Sequence, residues 1–266
     1  MLIQIYEIQT PREAEQMIAL GVDHIGSVVL DRDNWRDPTL REAVRLTTGT
    51  DARSSLIPLF SDVDAVSRLL DYYRPDIVHF CENLIPEPGL GLEAPGGWGA
   101  ATEKVVDGQR GVRDKFPDVK ITRSLPIPAA AMPRAGLAAL VEMFAPVSDF
   151  FMTDTLLTGP GGAGGDAAQP VTGFVGITGM TCDWEAAAWL VRTSPLPVIL
   201  AGGLGPENAA AAIARVQPAG VDSCTRTNAV DAQGRPIRFR KDISKVRDFV
   251  ATARRAAATI GEPLKR

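Results

Sequence analysis

Two glycine-rich runs in the C-terminal half of the chain could bind an anion. Gly176–Gly179 and Gly202–Gly203 each come shortly before a segment with helical periodicity. Backbone N–H groups in such turns, with the positive end of the following helix dipole, form a site for phosphate. Glycine-rich runs are also ordinary turns, and that interpretation stays open. The candidate phosphate contacts are Gly176, Thr178, Gly179, Gly202, Gly203, Thr225 and Arg226.

Titratable side chains for acid–base chemistry lie on runs that have the character of strands. Side chains two residues apart share one face of a strand, so Gln4 lies with Tyr6, and His79 lies with Cys81. Histidine has an ordinary pKa near neutrality, which makes His79 the best placed titrating group. A buried histidine that only holds a loop is the alternative. Tyr6 has an ordinary pKa of about 10 and would need a large downward shift to act as a base.

The thiols do not indicate a structural site. Cys81, Cys182 and Cys224 have spacings that match neither a disulfide framework nor a zinc site, which favours reduced thiols. Cys81 is more typical of a small buried apolar residue than of a nucleophile, although a catalytic thiol stays open. His24 stands at the start of a predicted strand, where a structural role is favoured.

The elements that must position these groups alternate strand and helix. Eight short apolar runs bounded by Gly, Pro or Asp are each followed by an amphipathic stretch. The predicted strands are 2–8, 24–30, 55–59, 76–80, 119–125, 149–153, 198–201 and 220–224. The predicted helices are 11–20, 38–48, 63–73, 102–116, 133–144, 183–192, 206–215 and 243–258. The pattern predicts an α/β fold, a single (β/α)₈ TIM barrel domain over 1–266. A doubly wound sheet would need a dinucleotide-binding glycine motif after the first strand, where the chain has YEIQTP.

Glycine and proline are concentrated in three long loops of the predicted barrel. The chain has 25 Gly and 20 Pro, and the surplus lies in Asn83–Ala100, Leu156–Gly173 and Asn228–Arg240, after strands 4, 6 and 8. Loops after the strands build the active-site face of such barrels. The first two could be lids or simply mobile, and Trp98 could cover a ligand or anchor its loop by packing.

Composition excludes several classes of partner. The 266 residues are 45% hydrophobic and carry a formal charge of −4, which disfavours nucleic-acid binding. A signal peptide and an apolar run long enough to cross a membrane are both lacking, so we expect a cytoplasmic protein. We expect no cofactor and no metal, and the oligomeric state cannot be predicted from the helical faces.

Four motifs resemble the phosphoribosylanthranilate isomerase family of the tryptophan pathway. Val198–Asp222, VILAGGLGPENAAAAIARVQPAGVD, is similar to its seventh and eighth units. DFFMTDT at 149–155 resembles its strand ending in Leu-Asp-Thr, and GITGMTCDW at 176–184 resembles its phosphate loop. Lys241–Asp242 resembles its closing Lys-Asp. The resemblance covers most of the chain and implies a barrel that isomerises a phosphorylated sugar by an Amadori rearrangement.

The resemblance also assigns roles to residues. An Amadori rearrangement opens a sugar ring with a general acid and removes a proton from C2 with a base. The acid position is kept as Asp154, which a closed site could hold protonated. The family's general base, a cysteine in Lys-Ile-Cys-Gly-Ile-Thr, is replaced by Tyr6. Arg36 falls where the family places an arginine for its substrate.

Further departures lie at the ends of the predicted strands. Glu7 and Glu82 each replace a family glycine, and they could be new functional carboxylates or solvated loop charges. Arg226 also replaces a glycine, and it could bind an anion or block the pocket. Arg123 on the fifth strand is a further candidate.

The leading hypothesis is therefore an enzyme that performs an aldose–ketose isomerisation on a small phosphorylated substrate. Asp154 would be the acid, and Tyr6 or His79 would be its partner. The alternative hypothesis is a non-catalytic barrel that binds a phosphorylated ligand and has lost the isomerase chemistry. Because the base position is changed, the family's own substrate need not be the substrate of this chain.

Overall fold

Eight parallel strands close into a barrel in the computed structural model, which describes residues 1–84, 99–128, 134–157 and 171–260. Each strand pairs with the next, and β1 closes the ring by pairing in parallel with β8, with Leu2 opposite Gly220. The strands are β1 Leu2–Ile5, β2 His24–Val29, β3 Arg53–Pro58, β4 Ile77–Phe80, β5 Lys120–Pro128, β6 Phe150–Leu156, β7 Val198–Leu200 and β8 Gly220–Ser223. The predicted (β/α)₈ barrel is confirmed.

Helices cover the outside of the barrel. They are α1 Pro11–Ala19, α2 Pro38–Arg45, α3 Val63–Tyr73, α4 Gly99–Lys115, α5 Arg134–Phe144, α6 Trp184–Thr193, α7 Ala209–Val216 and α8 Ile243–Ile260. Side chains cap several of their N-termini: the Thr10 hydroxyl accepts from the Glu13 N–H, and the Asp62 carboxylate accepts from the Ala65 N–H. No helix in the described ranges is both long and apolar enough to cross a bilayer.

The seventh helix begins later than the sequence predicts. Helix α7 starts at Ala209, and the predicted start at Pro206 is wrong. The Asn208 side chain is the reason: its amide oxygen accepts from Gly205 N–H at 2.9 Å, and its amide N–H donates to Gly203 O at 3.0 Å. These bonds hold the residues after β7 in a turn, so the helical ladder starts only after Asn208.

Apolar side chains fill both sides of the barrel wall. Outward-facing residues such as Ile3, Ile5 and Phe151 pack against the helices, and they are fully buried. A second set fills the barrel interior: Val28, Ile57, Met152, Ile199 and Ala201 among others. Each fully buried aliphatic side chain contributes about 1.5–3 kcal/mol. The interior set forms the floor on which the polar residues of the site rest.

The third glycine- and proline-rich insertion is a β-ribbon rather than a loop. After β8 the chain makes a 3₁₀ turn at Thr225–Thr227 and then pairs β9 (Asn228–Val230) with β10 (Pro236–Lys241) in antiparallel fashion. The predicted loops after strands 4 and 6, including Trp98, lie mostly outside the described residues.

The ribbon is fixed to the end of β1. Arg238 of β10 forms an ion pair with Glu7 at 2.7 Å, and the Asn228 amide and the Phe239 N–H also donate to the Glu7 carboxylate. Glu7 has a left-handed backbone with φ of 65°, which explains why β1 stops at Ile5 and not at the predicted residue 8.

Candidate active site

A pocket opens at the carboxyl ends of the strands. Its floor is formed by barrel residues, and its rim is formed by the loops after β6, β7 and β8. The predicted site residues that line it are Tyr6, Glu7, His79, Cys81, Asp154, Gly176, Thr178, Gly179, Gly202, Gly203 and Thr225. The structure therefore brings most of the candidate acid–base and phosphate contacts together.

A continuous chain of hydrogen bonds crosses the floor of this pocket. The Tyr6 hydroxyl lies 2.7 Å from the Ser55 hydroxyl and 2.7 Å from Nδ1 of His79. Nε2 of His79 lies 2.7 Å from the Ser124 hydroxyl, which in turn hydrogen bonds to Oδ2 of Asp154. Five side chains from β3, the end of β1, β4, β5 and β6 are thus joined, and all five are buried.

Asp154 has the properties of a general acid. Its pKa is raised to about 8: burial is the main cause, the hydrogen bond from Ser124 opposes the rise, and the neighbouring Asp222 adds to it. Its Oδ1 turns towards Gly176, where a Cβ would lie only 2.6 Å away. Gly176 has φ of 101°, so the absence of a side chain both permits this backbone and leaves room for the carboxyl group.

The threonines beside Asp154 position it against the next loops. The Thr153 hydroxyl donates to Ala201 O at 3.0 Å, and the Thr155 hydroxyl donates to Met180 O at 2.7 Å. The Thr-Asp-Thr sequence therefore ties the end of β6 to the loop after it and to the end of β7. This local bonding explains why the acid stands beside the glycine-rich loops.

Tyr6 and His79 are both neutral at physiological pH. Burial raises the pKa of Tyr6 well above 10, which is the opposite of the shift that a phenolate base needs. Burial, assisted by Arg123, lowers the pKa of His79 to about 3. The Tyr6 ring lies directly on Gly26 of β2, where a Cβ would come within 2.2 Å of the ring. Gly26 therefore gives Tyr6 the space to enter the barrel.

Asp222 is a site residue that sequence reasoning missed. It lines the pocket from β8, and burial raises its pKa to about 7, partly offset by a hydrogen bond from Gln4 and by Lys241. The Gln4 amide donates to Asp222 at 3.2 Å and its oxygen lies 3.2 Å from Nδ1 of His24. Gln4 stands where the resemblance gives lysine, so a neutral amide here replaces a cation. Gly220 and Asp222 lie two residues apart and share one face of β8, so the period of two along this strand is the sequence signal that places Asp222 with the inward-facing residues.

The predicted phosphate contacts line one pocket from three loops. Gly176, Thr178 and Gly179 lie on one loop, and Gly202 and Gly203 lie on the next. Thr225 begins the 3₁₀ turn after β8 and lines the same pocket. The structure therefore brings these residues together, and phosphate binding by them stays a prediction.

Two predicted arginine contacts are not in the pocket wall. Arg226 turns outward to form an exposed ion pair with Glu207 at 2.6 Å, so it neither joins nor blocks the pocket. Arg36 is exposed after β2, and its guanidinium lies 4.7 Å from the centre of the Trp35 ring. A contact of Arg36 with a bound substrate stays a prediction.

The two glutamates are buried, and the prediction of solvated loop charges is wrong. Glu82 pairs with the fully buried Arg123 at 2.6 Å. Arg123 also donates to Gln109 at 2.8 Å and therefore faces α4, outside the barrel.

The Cys81 thiol lines the pocket in its protonated form. Burial raises its pKa well above 9, which disfavours the thiolate. No group of three or more His, Cys, Asp and Glu side chains within the described ranges could hold a metal ion.

Comparison with known proteins decides the family. A family model for N-(5′-phosphoribosyl)anthranilate isomerase matches residues 166–252. The N-(5′-phosphoribosyl)anthranilate isomerase of Methanosarcina acetivorans is 32% identical over 258 residues, which cover 95% of this chain and 92% of that one. The chain belongs to the phosphoribosylanthranilate isomerase family.

Solved structures of phosphoribosylanthranilate isomerases share the fold. The enzyme from Pyrococcus furiosus superposes with a TM-score of 0.64 at 18% identity and covers 96% of this chain and 99% of its own. Another, in complex with reduced 1-(o-carboxyphenylamino)-1-deoxyribulose 5-phosphate, gives a TM-score of 0.63 at 14% identity, with 95% and 98% covered.

Proposed function

We propose that this chain is an isomerase that converts a phosphorylated aldosylamine into the corresponding ketose amine. The substrate that best fits is N-(5′-phosphoribosyl)anthranilate, which is named for the relatives. The observation that carries the proposal is Asp154, a buried carboxyl group with a pKa near 8 that faces the pocket beside the glycine loops. A carboxylic acid that keeps its proton at neutral pH is what ring opening requires.

In this proposal the phosphate binds at the loops after β6, β7 and β8. N–H groups around Gly179 and Gly203 and the Thr225 hydroxyl would hold its oxygens. Anchoring the phosphate there places the sugar over the floor of the barrel, and Asp154 can then reach the ring oxygen. One neighbouring enzyme binds a reduced phosphorylated product analogue on the same fold, which supports this class of ligand.

Asp154 donates its proton to the ring oxygen, which opens the ring and leaves an iminium at C1. Loss of the C2 proton then gives an enolamine, because the electron pair of the C–H bond moves to C1–C2 and neutralises the nitrogen. The enolamine becomes the ketose product by gaining a proton at C1 and losing one from its hydroxyl group. Tyr6 and His79 are the pocket groups proposed to work opposite Asp154.

The test is turnover of N-(5′-phosphoribosyl)anthranilate, followed by separation of substrate and product. We expect Asp154→Asn to lower kcat by about 10²–10⁴-fold, because the amide cannot supply the proton. Asp71→Asn is the matched control, since Asp71 is exposed on α3. Full activity of Asp154→Asn would refute the acid assignment. Tight binding of the substrate without turnover would favour the non-catalytic alternative. Similarity to an isomerase over 95% of the chain argues against that alternative.

A further inference from the structure

We propose that Tyr6, His79 and Ser124 form a proton relay that makes Asp154 both the acid of the first step and the final acceptor of the C2 proton. The inference rests on the proposed isomerase function and assigns its missing base. It needs no ionised tyrosine and no charged histidine. The observation behind it is the unbroken line of hydrogen bonds from Ser55 to Asp154.

The relay can hold two opposite directions of donation. In one, Tyr6 donates to Nδ1 of His79, Nε2–H donates to Ser124, and Ser124 donates to an ionised Asp154. In the other, protonated Asp154 donates to Ser124, Ser124 donates to Nε2, and Nδ1–H donates to Tyr6. Hydroxyl groups and a neutral imidazole are each a donor and an acceptor, so every bond survives the reversal. The two directions differ by the tautomer of His79 and by one proton on Asp154.

Passing from the first direction to the second removes the C2 proton. After ring opening, the Asp154 carboxylate takes the Ser124 proton, Ser124 takes the Nε2 proton, and Nδ1 takes the Tyr6 proton. The Tyr6 oxygen takes the proton from C2 at the same time, and the C–H electron pair forms the C1–C2 double bond. No phenolate forms, so the upward pKa shift of Tyr6 is no obstacle.

The last step resets the relay. Tyr6 gives a proton to C1 of the enolamine, and the relay returns to its first direction as Asp154 gives up the proton it gained. The carboxylate then takes the proton of the enol hydroxyl group on Oδ1, while Ser124 goes on donating to Oδ2, so the acid is restored with the relay in its first direction. Protons and electron pairs balance over the cycle, and every group of the relay returns to its starting protonation state.

The surroundings favour a neutral relay. The titratable and charged groups that act on it from neighbouring elements are Asp222 on β8, Cys81 after β4 and Cys182 before α6, together with Arg123, which lies on the outer face of β5. Arg123 disfavours a charged imidazole at His79, and Asp222 favours a protonated Asp154. Both influences support proton transfer through uncharged groups.

The first test reads the tautomer of His79 by nitrogen-15 NMR. The chain has two histidines, so a His24→Gln variant assigns the signals. We expect the Nε2–H form when Asp154 is ionised, and, as the pH falls through its titration, a growing share of the Nδ1–H form from molecules that are protonated on Oδ2. This change should vanish in Asp154→Asn and in Ser124→Ala. A single His79 tautomer at all pH values, or a charged His79, would overturn the relay whether or not the substrate is turned over.

The second test measures kcat and KM on N-(5′-phosphoribosyl)anthranilate. We expect Tyr6→Phe and Ser124→Ala to lower kcat by about 10²-fold or more with little change in KM, since general base catalysis contributes about 10²–10⁴-fold. Ser124→Thr keeps a hydroxyl and should restore activity. Ser67→Ala is the control, because it removes a buried hydroxyl on α3, outside the barrel. Wild-type kcat in Ser124→Ala would refute the relay, whereas no turnover by the wild type would refute the proposed function alone.

Discussion

The ion pair between Glu7 and Arg238 lends itself to a double-mutant cycle. The Glu7 side chain is 1% exposed and that of Arg238 is 37% exposed, with 2.7 Å between the charged groups. Removing one partner of a buried pair costs about 3–5 kcal/mol, and the partial exposure of Arg238 reduces this to about 2–3 kcal/mol for Arg238→Ala. Glu7→Gly behaves differently because glycine relieves the left-handed backbone by about 1 kcal/mol. Loss of the pair at about 2–3 kcal/mol less this relief leaves an expected cost of about 1–2 kcal/mol for Glu7→Gly.

The assay is urea unfolding of the wild type, both single variants and the double variant. In the Glu7→Gly background, Arg238→Ala should cost less than about 1 kcal/mol, because no buried carboxylate is left without a partner. An equal cost of Arg238→Ala in both backgrounds would refute the argument that the pair fixes the ribbon to β1.

The same pair predicts a dependence of stability on pH. Burial by itself would raise the pKa of Glu7, but Arg238, Lys241 and the Asn228 amide overcome this and lower it below 4.5. A carboxyl group whose pKa is lower in the folded than in the unfolded protein stabilises the fold. This stabilisation is complete above the pKa of the unfolded state and is lost as the pH falls through the pKa of the folded state. We expect the wild type to lose more stability than Glu7→Gly below about pH 4.5.

Three other outcomes follow from the site. Since the acid must hold its proton, kcat/KM should fall as the pH rises above about 8, the pKa of Asp154, and a profile flat to pH 10 would contradict this role. Gly176→Ala should lower kcat by about 10²-fold, because its Cβ would displace the Asp154 carboxyl group; a variant with wild-type kcat would contradict the observed contact. Arg226→Ala should change KM by less than about threefold, since its ion pair with Glu207 is exposed; a large rise in KM would mean that Arg226 turns inward to bind the substrate.

Local signals were sufficient for most of the barrel strands and helices. N-caps such as Thr10 and Asp62 form hydrogen bonds within three residues, so the local sequence alone predicts where those helices start. The predicted start of α7 was wrong because the Asn208 side chain forms hydrogen bonds with the backbone of Gly203 and Gly205 in the preceding turn, and the helix begins only after it. The ribbon after β8 was missed because its strands are short and only partly buried, and its position depends on Glu7, more than two hundred residues away.

By itself, the sequence determined that this chain is a (β/α)₈ barrel of the phosphoribosylanthranilate isomerase family, because periodicity and local motifs carry that information. Only the tertiary structure decided which polar groups meet. The partners of Ser55, Ser124 and Asp222 lie on other strands, so only closure of the barrel brings these groups together. The pKa values followed the same rule: burial raised that of Tyr6 and lowered that of His79, and burial is a property of the whole fold.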